Sequence, residues 1–195
     1  MSNRKISELS ELTTVAEDDV FVVVDTSETA TKKVQFANLH KSETRDYIMQ
    51  SDNTDQAIAN VTLDQVITFD TDVSKQGIVR TSSSRFTIAT TGSYLITFSG
   101  VAQGKLNEYI AVWLKVDGVN VADSNTLYRF KANDMDTVIS VSFIQTFTAG
   151  QYFEFWTWGS ATTSFWNYTA AVPGVGGVTP GRPACPSIIF TCNRI

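Results

Sequence analysis

The stretch "QYFEFWTWG", residues 151–159, carries five aromatic rings in nine positions. In an extended chain successive side chains point to opposite faces. Tyr152, Glu154, Trp156 and Trp158 then share one face, and Phe153, Phe155, Thr157 and Gly159 share the other. Rings at both parities predict a strand covered on both sides. A sandwich strand with one wet face alternates apolar with polar instead, as "RFTIAT" (85–90) does with Phe86 and Ile88 inward. Three covers suit the second face: a copy of the same chain in a symmetric oligomer, a sugar stacked on exposed tryptophans, or the loop 172–186 acting as a lid. The sugar reading calls for clustered Asn, Asp and Arg, and Asn167 is the main polar neighbour. Parity therefore favours core plus oligomer seam.

The neighbouring segments read the same way. Strands are predicted at 65–70, 77–81, 85–90, 92–103, 109–118, 119–124, 136–147, 151–159, 163–171 and 186–195. In "GSYLITFSG" Tyr94, Ile96 and Phe98 fall on one side and Leu95 on the other. Asp117-Gly118 is a hairpin turn signal. Short strands separated by turns, without a long helical stretch, predict an antiparallel sandwich or barrel over residues 52–195. The segment 172–186 holds all four prolines and four of the eleven glycines, which predicts a surface loop. Cys185 and Cys192 are too far apart along one strand to bridge, so both are expected to be free, buried thiols.

Residues 1–50 differ. Ile6, Leu9 and Leu12 are spaced for one or two helical turns. A hairpin is expected at 20–25 and 31–36, and a short helix or an extended arm at 37–50. A module this small is expected to lean on a partner.

Composition excludes several classes. The net charge is −5, with six cations and nine anions in residues 1–50 and nine and eleven in the rest, so no basic stripe awaits a nucleic acid. The apolar runs are far shorter than the roughly 20 residues of a membrane-spanning helix. The N-terminus has no apolar h-region, so a cytoplasmic site of synthesis is expected. His40 is the lone histidine, lies far from any Gly-flanked serine, and reads as a solvated surface residue. The i, i+2 pairs Asp70/Asp72 and Asp134/Asp136 could serve a glycosidase or a cation, but they read as ordinary acidic loops. "PGVGG" (173–177) lacks the Lys-Ser/Thr of a phosphate loop. Asn60 and Asn167 fit the glycosylation pattern, but without a secretory signal that fit is coincidental. No catalytic residue, metal site or cofactor is expected.

Two resemblances complete the reading. "KISELSELTTVAEDDVFVVVDTSETATKKVQFANL" (5–39) resembles a short N-terminal attachment module of tailed-phage virion proteins. That resemblance implies attachment through Ile6, Leu9, Leu12, Phe21, Val23, Val34, Phe36 and Leu39. "SRFTIATTGSYLITFSGVAQ", "IAVWLKVDGVNVADSN", "GQYFEFWTW" and "PSIIFTCNRI" resemble phage domains with a C1q/TNF-like jelly roll. It implies a homotrimer in which Tyr94, Ile96, Phe98, Tyr152, Phe153, Phe155 and Trp156 form core and threefold seam. Ile188, Ile189 and Phe190 match the last strand of that family; the long 172–186 loop departs from it. Together these imply a mainly β protein of the virion, assembled in the host bacterial cytoplasm. It would be a capsid decoration, cement or head-fibre protein on the major capsid protein or another virion protein. The alternative is a tail-fibre knob for host surface glycans, with Trp158, Trp166 and Tyr168 as the candidate ligand surface.

Overall fold

The computed structural model describes residues 16, 19–25, 30–35, 45–173 and 181–195. The chain divides into two compact units, Met1–Glu43 and Thr44–Ile195.

In the first unit β1 (Val20–Asp25) pairs antiparallel with β2 (Ala30–Gln35), so that Phe21 stands opposite Val34 and Val23 opposite Lys32. Just before β1, the Asp19 carboxylate accepts the Ala16 N–H at 2.8 Å and closes a turn. Val34 is half-buried. Ile6, Leu9, Leu12, Phe36, Leu39 and His40, with the predicted helical turns, lie outside the described residues.

The second unit is a sandwich of two antiparallel sheets. One runs in the order β6 (Thr71–Gln76), β3 (Tyr47–Asp52), β16 (Ile188–Arg194), β9 (Gly92–Gly104), β13 (Met135–Phe147). Past the end of β16, β15 (Phe165–Trp166) pairs with β9, and β4 (Gln56–Ala57) pairs with β15. The other sheet runs β7 (Ile78–Arg80), β8 (Phe86–Ile88), β14 (Tyr152–Gly159), β10 (Tyr109–Val116). Here β5 (Gln65–Val66) pairs with β14, while β11 (Val119–Asn120) and β12 (Thr126–Arg129) pair with β10. Sequence-distant strands lie side by side, β16 between β3 and β9 above all, which gives the crossed connections of a jelly roll.

Strand β9 explains how the core is filled. Its inward residues run Tyr94, Ile96, Phe98, Gly100, Ala102, Gly104, large at one end and small at the other. The small end lies under rings from elsewhere: a Cβ on Gly100 would stand 2.6 Å from the Trp166 ring, and one on Gly104 2.4 Å from Phe130. Phe153 and Phe155 of β14 meet Phe190 of β16 at centroid distances of 5.8 and 5.1 Å, mixing the two sheets in one aromatic cluster. Phe69 and Phe86 close that cluster, 4.8 and 4.6 Å from Phe190. Edge-to-face and tilted contacts of this kind add to the burial of large rings.

Asp117 (φ 49°) and Gly118 (φ 80°) form the tight turn between β10 and β11, with Val116 opposite Val119. Both central residues have positive φ, which is the primed turn that suits strand twist.

Several expectations need correction. Residues 47–52 are neither helix nor arm but strand β3 inside the large sheet, so the boundary falls at residue 43, not near 50. Of 65–70 only Gln65–Val66 is strand; Ile67 and Phe69 are still fully buried, held by Ile67 N–H to Phe155 O and Phe69 N–H to Ser83 O. The spans 119–124 and 163–171 shorten to 119–120 and 165–166. The arms of the 172–186 loop are bridged at Thr169–Cys185 and Val172–Arg182. Cys185 is therefore exposed on that return arm, whereas Cys192 is buried on β16.

Candidate functional site

The outer face of β14 shows how the chain covers its second set of rings. The Arg85 guanidinium stands 3.8 Å over the Tyr152 ring, and Lys115 Nζ 3.6 Å over Trp156. The same two cations are neutralised alongside: Arg85 lies 3.4 Å from Glu154, and Lys115 lies 2.6 Å from Asp64. Glu154 is only 7% exposed and also accepts from the Ser84 hydroxyl at 3.2 Å. A cation over a ring contributes roughly 0.5–1 kcal/mol where it remains partly wet. Tyr152 and Trp156, expected at a seam between copies, are thus capped by side chains of their own chain. Tyr94, Ile96, Phe98, Phe153 and Phe155 lie fully buried between the sheets, 0% exposed, and reach no surface where copies could meet.

The candidate ligand residues do not form one surface. Trp166 is fully buried: its ring packs edge-on to Phe98 at 5.3 Å and its indole N–H donates to Thr157 Oγ1 at 3.2 Å. The short β15–β9 ladder turns this side chain into the sandwich, over Gly100, so it cannot stack on a ligand. Trp158 is half-buried, with its indole N–H given to the Val61 carbonyl at 2.8 Å. Tyr168 is half-buried, and its backbone N–H is bound to Asp55 at 2.8 Å.

Three of the four paired aspartates, Asp70, Asp72 and Asp136, hold neighbouring groups in place. Asp70 accepts from the Asn53 backbone N–H at 3.2 Å, and Asp72 forms ion pairs with Lys75 and Arg80. The Lys75 bond leads the effects that hold the Asp72 carboxyl below its usual range. Asp136 Oδ1 accepts from Gln103 and Asn167 amides at 2.8 and 2.9 Å, tying β13, β9 and the 167 segment together. Among the described residues no group of three or more His, Cys, Asp or Glu could hold a metal ion.

Among the described residues two further surfaces bear on function. The first is the outer face of the β9–β13 ladder, where Leu95 faces Ile144, Thr97 faces Ser142, Ser99 faces Ser140 and Val101 faces Val138. Val138 and Ile144 are 66% and 69% exposed. Hydroxyls join the strands between them, Thr97 Oγ1 lying 3.0 Å from Ser142 Oγ. The second is a cleft of about 270 Å³ lined by Trp113, Asn120, Val121, Asp123 and Asn125. Sequence reading passed over it, although "VWLKVDGVNVADSN" sets a tryptophan beside the clustered Asn and Asp side chains that residues 151–168, with Asn167 alone, lack.

Buried Asp46 anchors one end of the sandwich. It is 4% exposed, and the Tyr94 hydroxyl lies 2.9 Å from its Oδ2 and 2.7 Å from the Thr90 carbonyl. Burial first, and then the bond to Asp46, push the Tyr94 phenol well above its usual range. Burial and the Asp46 charge do the same to the Cys192 thiol.

No family model matches the chain, and no curated protein does. Among solved structures, murine APRIL at pH 8.5 superimposes with a TM-score of 0.51 at 6% identity, over 78% of this chain and 100% of that one. The pH 5.0 form of murine APRIL gives 0.50 at 7% identity, over the same shares. The globular domain of zebrafish complement 1qA gives 0.44 at 17% identity, over 77% of this chain and 96% of that one. At such identities the likeness is one of fold alone: the chain is mainly β, and its sheets are those of a C1q/TNF-like jelly roll.

Proposed function

We propose that the chain is a non-enzymatic structural protein of a tailed-phage virion: a homotrimeric capsid decoration, cement or head-fibre protein. The observation that carries the trimer is the β9–β13 face. Strand β13 is thirteen residues long and, among the described residues, pairs only with β9. Between them the two strands hold a single charged residue, Asp136. Long, flat, uncharged sheet edges invite pairing and are normally blunted by charge or covered. Further copies of the chain are the cover that fits, because the face sets apolar pairs at both ends of an uncharged hydroxyl row and offers no charge to hold water. The seam is therefore assigned to Leu95, Val101, Val138 and Ile144 in place of the core rings.

The virion reading is supported by the resemblance of residues 5–39 to a phage attachment module. In that reading residues 1–43 bind the major capsid protein or a neighbouring virion protein, in particles assembled in the host bacterial cytoplasm.

Light scattering tests the trimer. The wild-type chain is expected to run at three times its mass at micromolar concentration, and a Val138→Asp, Ile144→Asp double variant to run as a folded monomer. Both positions are exposed, so the substitutions cost the isolated fold little, about 0.5 kcal/mol each. A monomeric wild type would remove the trimer. The virion role is tested on particles lacking the protein: normal packaging and normal survival of heat and dilution would remove the cementing role.

A further inference from the structure

On the outer face of β10 and β14, the rings of Tyr152 and Trp156 are capped by cations. Trp113 stands directly opposite Trp156 on the same face and, among the described residues, has no such cap. Its ring instead forms one wall of the 270 Å³ cleft with Asn120, Val121, Asp123 and Asn125.

The cleft is pre-formed. The Trp113 indole N–H donates to Asn120 Oδ1 at 2.9 Å. An indole nitrogen only donates, so this bond turns the Asn120 carbonyl to the ring and leaves its NH2 for the cleft. The opposite wall is pinned to β10: Val121 N–H donates to the Leu114 carbonyl at 3.0 Å. The Ser124 hydroxyl, 1% exposed, donates to the Val121 carbonyl at 2.8 Å and accepts from Leu114 N–H at 3.1 Å. Asp123 sits between these anchors in the left-handed region, at φ 60°. A ligand therefore orders little when it enters.

The lining selects by chemistry. A flat indole beside Val121 matches the C–H face of a pyranose ring, and two carboxamides with one carboxylate offer donors and acceptors to adjacent hydroxyls. Among the described residues no Lys, Arg or His lines the cleft. Phosphates, sulfates and uronates would find no counter-charge there and would meet the Asp123 carboxylate. A wholly apolar ligand would desolvate three polar side chains without replacing their water. We propose that this cleft binds a neutral hexopyranose residue, with Trp113 as the stacking platform, Asn120 and Asn125 as donors, and Asp123 as the acceptor of hydroxyl protons. The site lies on the outer surface of the sheet opposite to the β9–β13 face, so it goes beyond the trimeric structural role and stands or falls separately from it.

The test is a titration of the full chain with glucose, galactose, mannose and N-acetylglucosamine, with N-acetylneuraminic acid as the charged control. Tryptophan fluorescence and the amide NMR shifts of residues 113–125 report binding. At least one neutral sugar is expected to saturate the site with a Kd on the order of 1 mM. Trp113→Ala is expected to weaken it by about tenfold or more, with a smaller loss in Asn125→Ala and Asp123→Ala and no change in Trp158→Ala. Asn125 and Asp123 are exposed, so their variants keep the test decisive if Trp113→Ala does not fold. Purified bacterial surface polysaccharide, run beside the free sugars, shows whether the residue is recognised within a polymer. The proposal is overturned if no neutral sugar shifts these resonances. It is also overturned if N-acetylneuraminic acid binds as well, or if the Asn125 and Asp123 variants bind unchanged.

Discussion

A Gly77→Ala variant is expected to lose roughly 3–5 kcal/mol of stability, a large effect for one methyl group. Two costs add. Gly77 has φ +69°, and an L residue there loses about 1–2 kcal/mol. The new Cβ would also stand 1.8 Å from Asp46 Oδ1 and 2.3 Å from its Cγ. Asp46 is buried and cannot swing into water, so its bond to the Tyr94 hydroxyl is lost, at a cost of about 1–3 kcal/mol for the unpaired group. In this size class the sum lowers Tm by roughly 10 °C, measured by calorimetry. Gly150 is the internal control: it has φ +91° and nothing within 4 Å of a built Cβ, so Gly150→Ala carries the backbone cost alone. Equal losses in the two variants would show that the Asp46 contact has no role. The Gly77→Ala, Asp46→Ala double variant should be markedly non-additive, because the clash disappears with the carboxylate.

Trp166→Ala is expected to destabilise by about 3–5 kcal/mol. The side chain is fully buried, leaves a cavity above Phe98 and Gly100, and leaves the Thr157 hydroxyl without its indole donor. A surface tryptophan serving a ligand would instead cost less than about 0.5 kcal/mol, so denaturant melts separate the two roles. Gly100 sharpens the test. In the wild type, Gly100→Ala would force a methyl 2.6 Å from the Trp166 ring and destabilise the fold. In the Trp166→Ala background the same methyl enters empty space and is expected to be neutral or stabilising. Identical effects in both backgrounds would mean that the ring does not lie over Gly100.

The parity of residues 151–159 and 92–104 was legible because Phe153, Phe155, Tyr94, Ile96 and Phe98 put large apolar groups at alternate positions, so period two stands out against the turns. The hairpin at Asp117-Gly118 was legible from turn chemistry. Strand β6, "TDVSKQ", was not: an edge strand with five exposed positions carries no apolar alternation. Strand β3, "YIMQSD", buries Gln50 and Asp52 at inward positions, where a pattern reading expects apolar residues. The roles of the outer rings were not legible either. The Arg85 cap over Tyr152 and the Lys115 cap over Trp156 span 67 and 41 positions of sequence, and only the fold brings them together. Trp166 misled for the complementary reason: nothing local reveals that Gly100, on another strand, makes room for it.

The unequal setting of the two cysteines provides a chemical address. Cys192 is buried and its thiol is pushed well up, so it holds almost no thiolate at neutral pH, whereas Cys185 is exposed on the return arm of the 172–186 loop. Thiolate and access together govern alkylation. A maleimide dye should therefore attach once per wild-type chain, at Cys185, without any engineered cysteine. Threefold assembly would place three such dyes on one particle, and the number of bleaching steps per spot would count the copies directly.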